Sequence, residues 1–314
     1  MNRKRLLAIA VVMISAMTAL ALDKVTFIPQ WTAQAQFAGY FVAKEKGFYA
    51  EEGLDVTIEF PSNSISTMTL LKEGQCQFTT SPLLDALCTA DKGTDLVNIL
   101  QTSQQSGLVL VGYNGKNPET LDKGDKVGIW GAGFSLLSNI FNQRNHKGFE
   151  FVCFTNNVTL FLSGAIDATL AMSYNELLLL RQSNIDISGK TVYWFSDHDY
   201  DIPEDGVYTT RDFYKDHPDE CESFAKATQR GWEWCRQHPE EALDIVMQYI
   251  ADNRILTNRV IQEMMLKEVL RLNTDPTNGH TTYELKKEKV EEASKLLYEC
   301  QLIKRPITYS DITK

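Results

Sequence analysis

The chain has 314 residues, 43% of them hydrophobic and 23% charged, with a formal net charge of −10. That length suits two lobes rather than one domain, and the composition is that of an ordinary globular protein. The acidic excess argues against nucleic acid or an anionic membrane surface as partner and reads as a contribution to solubility.

Asn2-Arg3-Lys4-Arg5 is a basic segment, and 6–20 is an apolar run broken only by Ser15 and Thr18. Ala19 and Ala21 put small residues at the −3 and −1 positions of a cleavage site, so 1–21 reads as a cleaved secretory signal peptide. No Cys follows where a lipoprotein would need one, and no later stretch is long and apolar enough to span a membrane. The expectation is a periplasmic protein without a lipid anchor.

Residues 25–28 read as a strand ended by Pro29. A polar loop with Trp31, Gln34 and Gln36 follows. Phe37, Tyr40 and Phe41 recur at helical spacing, Gly47 stands where a helix C-cap glycine belongs, and 55–60 alternates as a strand does. Strand, helix and strand over this length predict a βαβ unit with parallel strands, whose ligand crevice lies beyond the carboxyl end of the first strand. Here that crevice holds an indole, two amides and a helix N-terminus, which suit a flat polar molecule.

Ser62-Asn63-Ser64 offers N-cap residues for a helix over 65–72, and 76–80 is the next strand. Ser81-Pro82 opens a helix to Lys92, with proline where its missing N–H costs nothing, and 96–101 is a strand. Ser81 either caps that helix or donates to a ligand. The strand-like run 107–113 leads into Asn114-Gly115-Lys116-Asn117-Pro118, a turn-rich stretch that marks a lobe boundary.

A second α/β pattern then begins. Strands are predicted at 126–130, 149–154, 168–172 and 192–195. Helices end near 124 and cover 136–145, 158–162 and 175–182. The acidic connector 197–205 (DHDYDIPED) reads as solvated, having no calcium-loop pattern, and 206–209 is the return strand. From Arg211 the chain reads as helical: 218–236, 239–251, a helix capped by Thr257 and reaching 272, and an amphipathic helix over 283–301. The predicted fold class is α/β in two lobes. Lobe 1 is 22–112 with 205–314, lobe 2 is 113–204, two hinge crossings lie near 112 and 205, and the C-terminal tail is helical.

Gly131-Ala132-Gly133 follows a strand but lacks the third glycine of a dinucleotide turn, and no acidic residue ends the next strand. The turn either permits a tight bend or presents backbone N–H groups to a polar ligand edge. Tyr174-Asn175-Glu176 stands at another strand's carboxyl end, where a phenol, an amide and a carboxylate can stack on a ring and pair with its amino group. Asn175 as cap and Glu176 for the helix dipole is the structural alternative, and both can hold at once. Trp130, before the glycine turn, suits stacking; Trp232 and Trp234 read as packing.

No GxSxG, HExxH or Walker motif is present, and the five histidines stand in polar or turn contexts that suit the surface. The six cysteines have wide, irregular spacing without a CxxC. On one continuous helix Cys221 and Cys235 would be about 21 Å apart, too far to bridge, so buried thiols are expected.

WTAQAQFAGYFVAKEKGFYAEEGLDVTI, GIWGAGF, SGAIDATLAMSYNE and HPEEALDIV, in that order, resemble landmarks of the periplasmic solute-binding proteins of ABC importers that share a domain with thiamine-pyrimidine synthases, an SsuA-like group. The resemblance spans nearly the whole mature chain. It implies a type II periplasmic binding-protein fold, a monomer that closes on a small heterocycle (an aminopyrimidine precursor of thiamine, riboflavin or another flat nutrient), and an ABC permease as partner. It implies neither enzymatic activity nor a cofactor. The synthases carry an Asn-x-x-His pattern where this chain has Gln34 and Gln36, and the Cys-rich iron motif of the eukaryotic-type synthases is missing. The ligand-binding residues expected are Trp31, Gln36, Phe37, Ser81, Trp130, Gly131, Gly133, Phe134, Tyr174, Asn175 and Glu176.

Overall fold

The computed structural model describes residues 22–61, 66–131, 136–154, 158–187 and 189–314. The signal-peptide expectation (1–21), the proposed caps Ser62-Asn63-Ser64, and Gly133 and Phe134 of the glycine turn lie outside the described residues. The strands in chain order are β1 (Asp23–Ile28), β2 (Leu54–Ile58), β3 (Phe78–Ser81), β4 (Leu96–Gln101), β5 (Leu108–Gly112), β6 (Lys126–Ile129), β7 (Glu150–Cys153), β8 (Ala168–Met172), β9 (Val192–Trp194) and β10 (Gly206–Thr210). They form two five-stranded sheets, β2-β1-β3-β10-β4 and β7-β6-β8-β5-β9.

The opening unit folds as its pattern predicts. β1 and β2 are parallel, from Asp23 opposite Leu54 to Phe27 opposite Ile58. The helix Ala38–Glu45 between them stops at Gly47, whose φ of 76° a residue with a side chain would adopt only under strain. The helix buries Tyr40 against β1 and the long helix Pro218–Gln237, and Phe41 against Phe60 and Tyr249 of the helix Pro239–Asp252. Tyr40 stacks on Phe27 at 4.5 Å between ring centroids, and Phe78 stacks on Phe224 at 4.2 Å. The two helices cross at glycines. A Cβ on Gly231 would lie 1.9 Å from the Gly39 carbonyl oxygen, and one on Gly39 would lie 2.3 Å from the Trp232 ring. Trp232 is therefore fully enclosed, as a packing residue.

The lobe boundary differs from the prediction. β5 pairs antiparallel with β8 and β9 in the second sheet, so the first crossing is 102–107, ahead of the Asn114-Gly115 turn. The second crossing lies between β9 and β10. A helix expected to end near 124 is only a 3₁₀ turn, Pro118–Thr120. The C-terminal half adds the helices Arg211–Asp216 and Tyr309–Ile312, and the amphipathic helix is shorter than predicted, Lys287–Glu299. Asn258, not Thr257, caps the helix Arg259–Leu272 through a 3.0 Å bond from the Ile261 N–H.

Two apolar clusters carry most of the packing. One lies between the first sheet and the C-terminal helices. The other joins the helix Leu83–Asp91 and Val290, Leu296 and Leu297 of the helix Lys287–Glu299 to the inner face of the second sheet. The tail thus packs against both lobes. All six cysteines are free; Cys153 is exposed and the other five are buried. All five histidines are exposed.

Candidate functional site

Strand ends from both sheets face one cleft. The chain leaving β1 supplies Gln30, Trp31, Gln34 and Gln36; the turn after β3 supplies Pro82, Leu84 and Asp85. From the second lobe come Trp130 after β6 and Tyr174, Asn175 and Glu176 after β8, while Ile202, Pro203 and Glu204 arrive from the second crossing. Together they line a cavity of about 760 Å³, part of it open to solvent. Ligands in α/β folds bind at such carboxyl strand ends.

The floor is a hydrogen-bonded chain of amides ending on a buried carboxylate. Gln34 donates through Nε2 to Gln36 Oε1 at 2.6 Å, and Gln36 donates through Nε2 to Asp205 Oδ1 at 2.8 Å. Gln30 Nε2 donates to the same oxygen at 2.7 Å. Its backbone N–H donates to Thr80 Oγ1 at 2.8 Å, which fixes the residue against β3. Burial pushes the Asp205 carboxyl up to about 7, with the Gln36 bond opposing it. Gln30 is itself only 8% exposed, and its Oε1 has no hydrogen-bond partner among the described residues. A buried acceptor of this kind is costly until something donates to it.

Glu176 is 7% exposed. Its Oε2 accepts from the Met172 N–H at 2.9 Å and its Oε1 from Asn175 Nδ2 at 3.1 Å, with the Trp130 side chain as a further donor. Burial raises its pKa and these bonds oppose the rise. The carboxylate thus folds back on its own strand–helix junction while one edge still faces the cavity. Tyr174 is buried; burial raises its pKa, and the Gln36 side chain nearby opposes this.

The acidic connector is exposed over 197–199, as a solvated loop would be, but from Asp201 to Asp205 it is held against the first crossing. Asp201 Oδ1 accepts from the Ser106 N–H at 2.8 Å, and its Oδ2 accepts from Lys289 Nζ at 2.8 Å. Glu204 accepts from Ser106 Oγ at 2.7 Å and from the Gly107 N–H at 3.0 Å, and burial pushes its carboxyl up to about 8. Thr102 Oγ1 donates to the Asp205 carbonyl at 2.6 Å. The two crossings are therefore bonded to each other, which explains why the polar run 102–106 is buried.

Six of the expected site residues meet at this cavity: Trp31, Gln36, Trp130, Tyr174, Asn175 and Glu176. Three do not line it. Phe37 is 1% exposed in the first core, with its ring 6.4 Å from that of Tyr40, because its helical spacing with Tyr40 and Phe41 turns it inward. Ser81 ends β3 and donates only weakly to the Pro82 carbonyl, at 3.4 Å; it neither caps the helix nor reaches the cavity. Gly131 is exposed, with nothing near the position of a Cβ. Gln30, Asp85 and Glu204 were not foreseen. Asp85 has the one legible signal, an acid in a helix first turn just beyond a strand's carboxyl end.

Two α/β lobes, two paired crossings and a lining drawn from strand ends of both lobes define a two-lobed periplasmic binding-protein fold. The periplasmic aliphatic sulphonate binding protein SsuA of Escherichia coli superposes with a TM-score of 0.63 at 13% identity, covering 91% of this chain and 95% of that one. The chain belongs to the NMT1/THI5-like family, whose pattern it matches over residues 34–242. It is similar to the formylaminopyrimidine-binding protein of Halalkalibacterium halodurans, 26% identical over 245 residues (72% of this chain, 71% of the relative). It is also similar to the riboflavin-binding protein RibY of Chloroflexus aurantiacus, 20% identical over 259 residues (78% and 72%).

Proposed function

We propose that this chain is a periplasmic solute-binding protein that captures a thiamine-related aminopyrimidine and passes it to an ABC importer. The observation that carries this reading is the chemistry of the cavity wall. Trp31, Trp130 and Tyr174 supply faces for a flat ring, and the carboxylates of Asp85, Glu176 and Glu204 supply acceptors on the polar edge. An aminopyrimidine offers amino N–H donors to such an edge. An isoalloxazine presents mainly carbonyl and ring-nitrogen acceptors, which would face carboxylates, and a sulfonate would enter without a cation to meet it. Similarity to a formylaminopyrimidine-binding relative supports the same choice.

Closure would join the lobes around the ring, so that ligand shifts the population toward the closed form. Binding needs no bond-making step, and the reading is of a carrier rather than an enzyme. Isothermal titration of the purified mature protein with 4-amino-5-hydroxymethyl-2-methylpyrimidine, its aminomethyl analogue and the N-formyl derivative of that analogue, against riboflavin and an alkanesulfonate, tests it. Binding of at least one aminopyrimidine, tighter than riboflavin, is expected; binding of riboflavin alone would overturn it.

A further inference from the structure

Among the carboxylates on the cavity wall, Asp85 stands apart. Both oxygens of Glu176 and of Glu204 are occupied by protein donors. The Asp85 oxygens accept no hydrogen bond from any described residue, although the side chain lines the cavity and is only partly accessible. Burial pushes its carboxyl up to about 8, and Lys92, on its own helix, opposes that rise. No Lys, Arg or His is among the described lining residues, and the undescribed stretches 62–65, 132–135 and 155–157 contain none.

Gln30 is buried, its Nε2 is committed to Asp205, and its Oε1, though without a partner, has no surface on the cavity. Asp85 is therefore the carboxylate on this wall that a positively charged N–H group can reach without competing with a protein donor.

We infer that Asp85 is a specificity-determining residue that pairs with a cationic substituent on the ligand, so that the site selects a heterocycle bearing a protonated amine over its neutral and anionic counterparts. This rests on the aminopyrimidine reading and narrows it. The free aminomethyl compound, not its formylated or hydroxylated relative, is the favoured occupant, and a phosphate ester is refused. A cation that displaces the proton burial holds on Asp85 gains an ion pair with the carboxylate that an isostere bringing only a dipole cannot make.

The test is isothermal titration at pH 7.5 with four probes: 4-amino-5-aminomethyl-2-methylpyrimidine, its N-formyl derivative, the 5-hydroxymethyl analogue and the phosphate ester of that analogue. The wild-type protein is expected to bind the amine at least about tenfold tighter than either neutral compound and the phosphate most weakly. Asp85→Asn should bring the amine within about threefold of the neutral compounds, while Asp85→Glu should keep part of the preference. An amine that binds no tighter than the neutral compounds to the wild-type protein overturns the role of Asp85 and leaves the aminopyrimidine reading standing; no variant is needed for that result. Failure of all four probes, with riboflavin binding instead, removes the aminopyrimidine reading and this inference with it.

Discussion

Replacing Asp205 by Asn should change how stability depends on pH, and the size of the effect follows from the site. The carboxyl rises from its ordinary 3.8 to about 7, chiefly through burial, with the Gln36 bond opposing the rise. A group with a raised folded-state pKa holds its proton more tightly in the native state. Stability is therefore greatest below the unfolded pKa and is lost as pH climbs towards and past the folded one. At 1.36 kcal/mol per pH unit the full loss is about 4 kcal/mol, of which about 2.5 kcal/mol falls between pH 5 and pH 8. Asn keeps an acceptor oxygen for the Gln30 and Gln36 amides and has no proton to lose. Urea denaturation of both proteins at pH 5 and pH 8 measures the difference. The variant should lose about 2.5 kcal/mol less than the parent over that interval, and should be the more stable of the two at pH 8. Glu204 and Asp85, both pushed up to about 8, titrate in the same direction in both proteins and largely cancel in the comparison. Equal losses in parent and variant would show that Asp205 does not carry the raised pKa.

Glu176→Gln should weaken aminopyrimidine binding by about tenfold, as a charge-assisted bond becomes a neutral one, with unchanged titration curves counting against a ligand role for the carboxylate. Gln36→Leu removes a donor to Asp205 and the acceptor for Gln34. It should cost about 1–3 kcal/mol in thermal denaturation and reduce affinity as well, and a wild-type melting curve would contradict that. Gly231→Ala places a methyl 1.9 Å from the Gly39 carbonyl oxygen, so calorimetry should find it destabilised by about 1–3 kcal/mol or more.

Much of the first lobe was legible because apolar periodicity and glycine agree there. Phe37, Tyr40 and Phe41 mark one helical face, and Gly47 marks its end. Phe37 was misassigned to the site in spite of that periodicity, because it follows the binding loop directly, and an aromatic beside a loop and an aromatic in a core look alike in sequence. The crossings were illegible for a different reason. Residues 102–106 and 201–205 are polar and acidic, which reads as solvent exposure, but each segment satisfies the other's groups, and only tertiary pairing reveals it. Trp130 and Tyr174-Asn175-Glu176 could be found by their position at strand ends. Asp85 hid in a helix first turn, where an acid is ordinarily explained by the dipole.

Bonds from Ser106, Gly107 and Thr102 to Asp201, Glu204 and Asp205, backed by Lys289, sew the two connecting segments into a single spine. A spine of this sort is a door-post: the halves can swing about it but cannot part along it. Traffic into the cleft is thereby confined to the opposite rim. The amides of Ser106 and Gly107 should exchange their hydrogens as slowly in the empty protein as in the loaded one, while those on the swinging walls slow down when cargo is aboard.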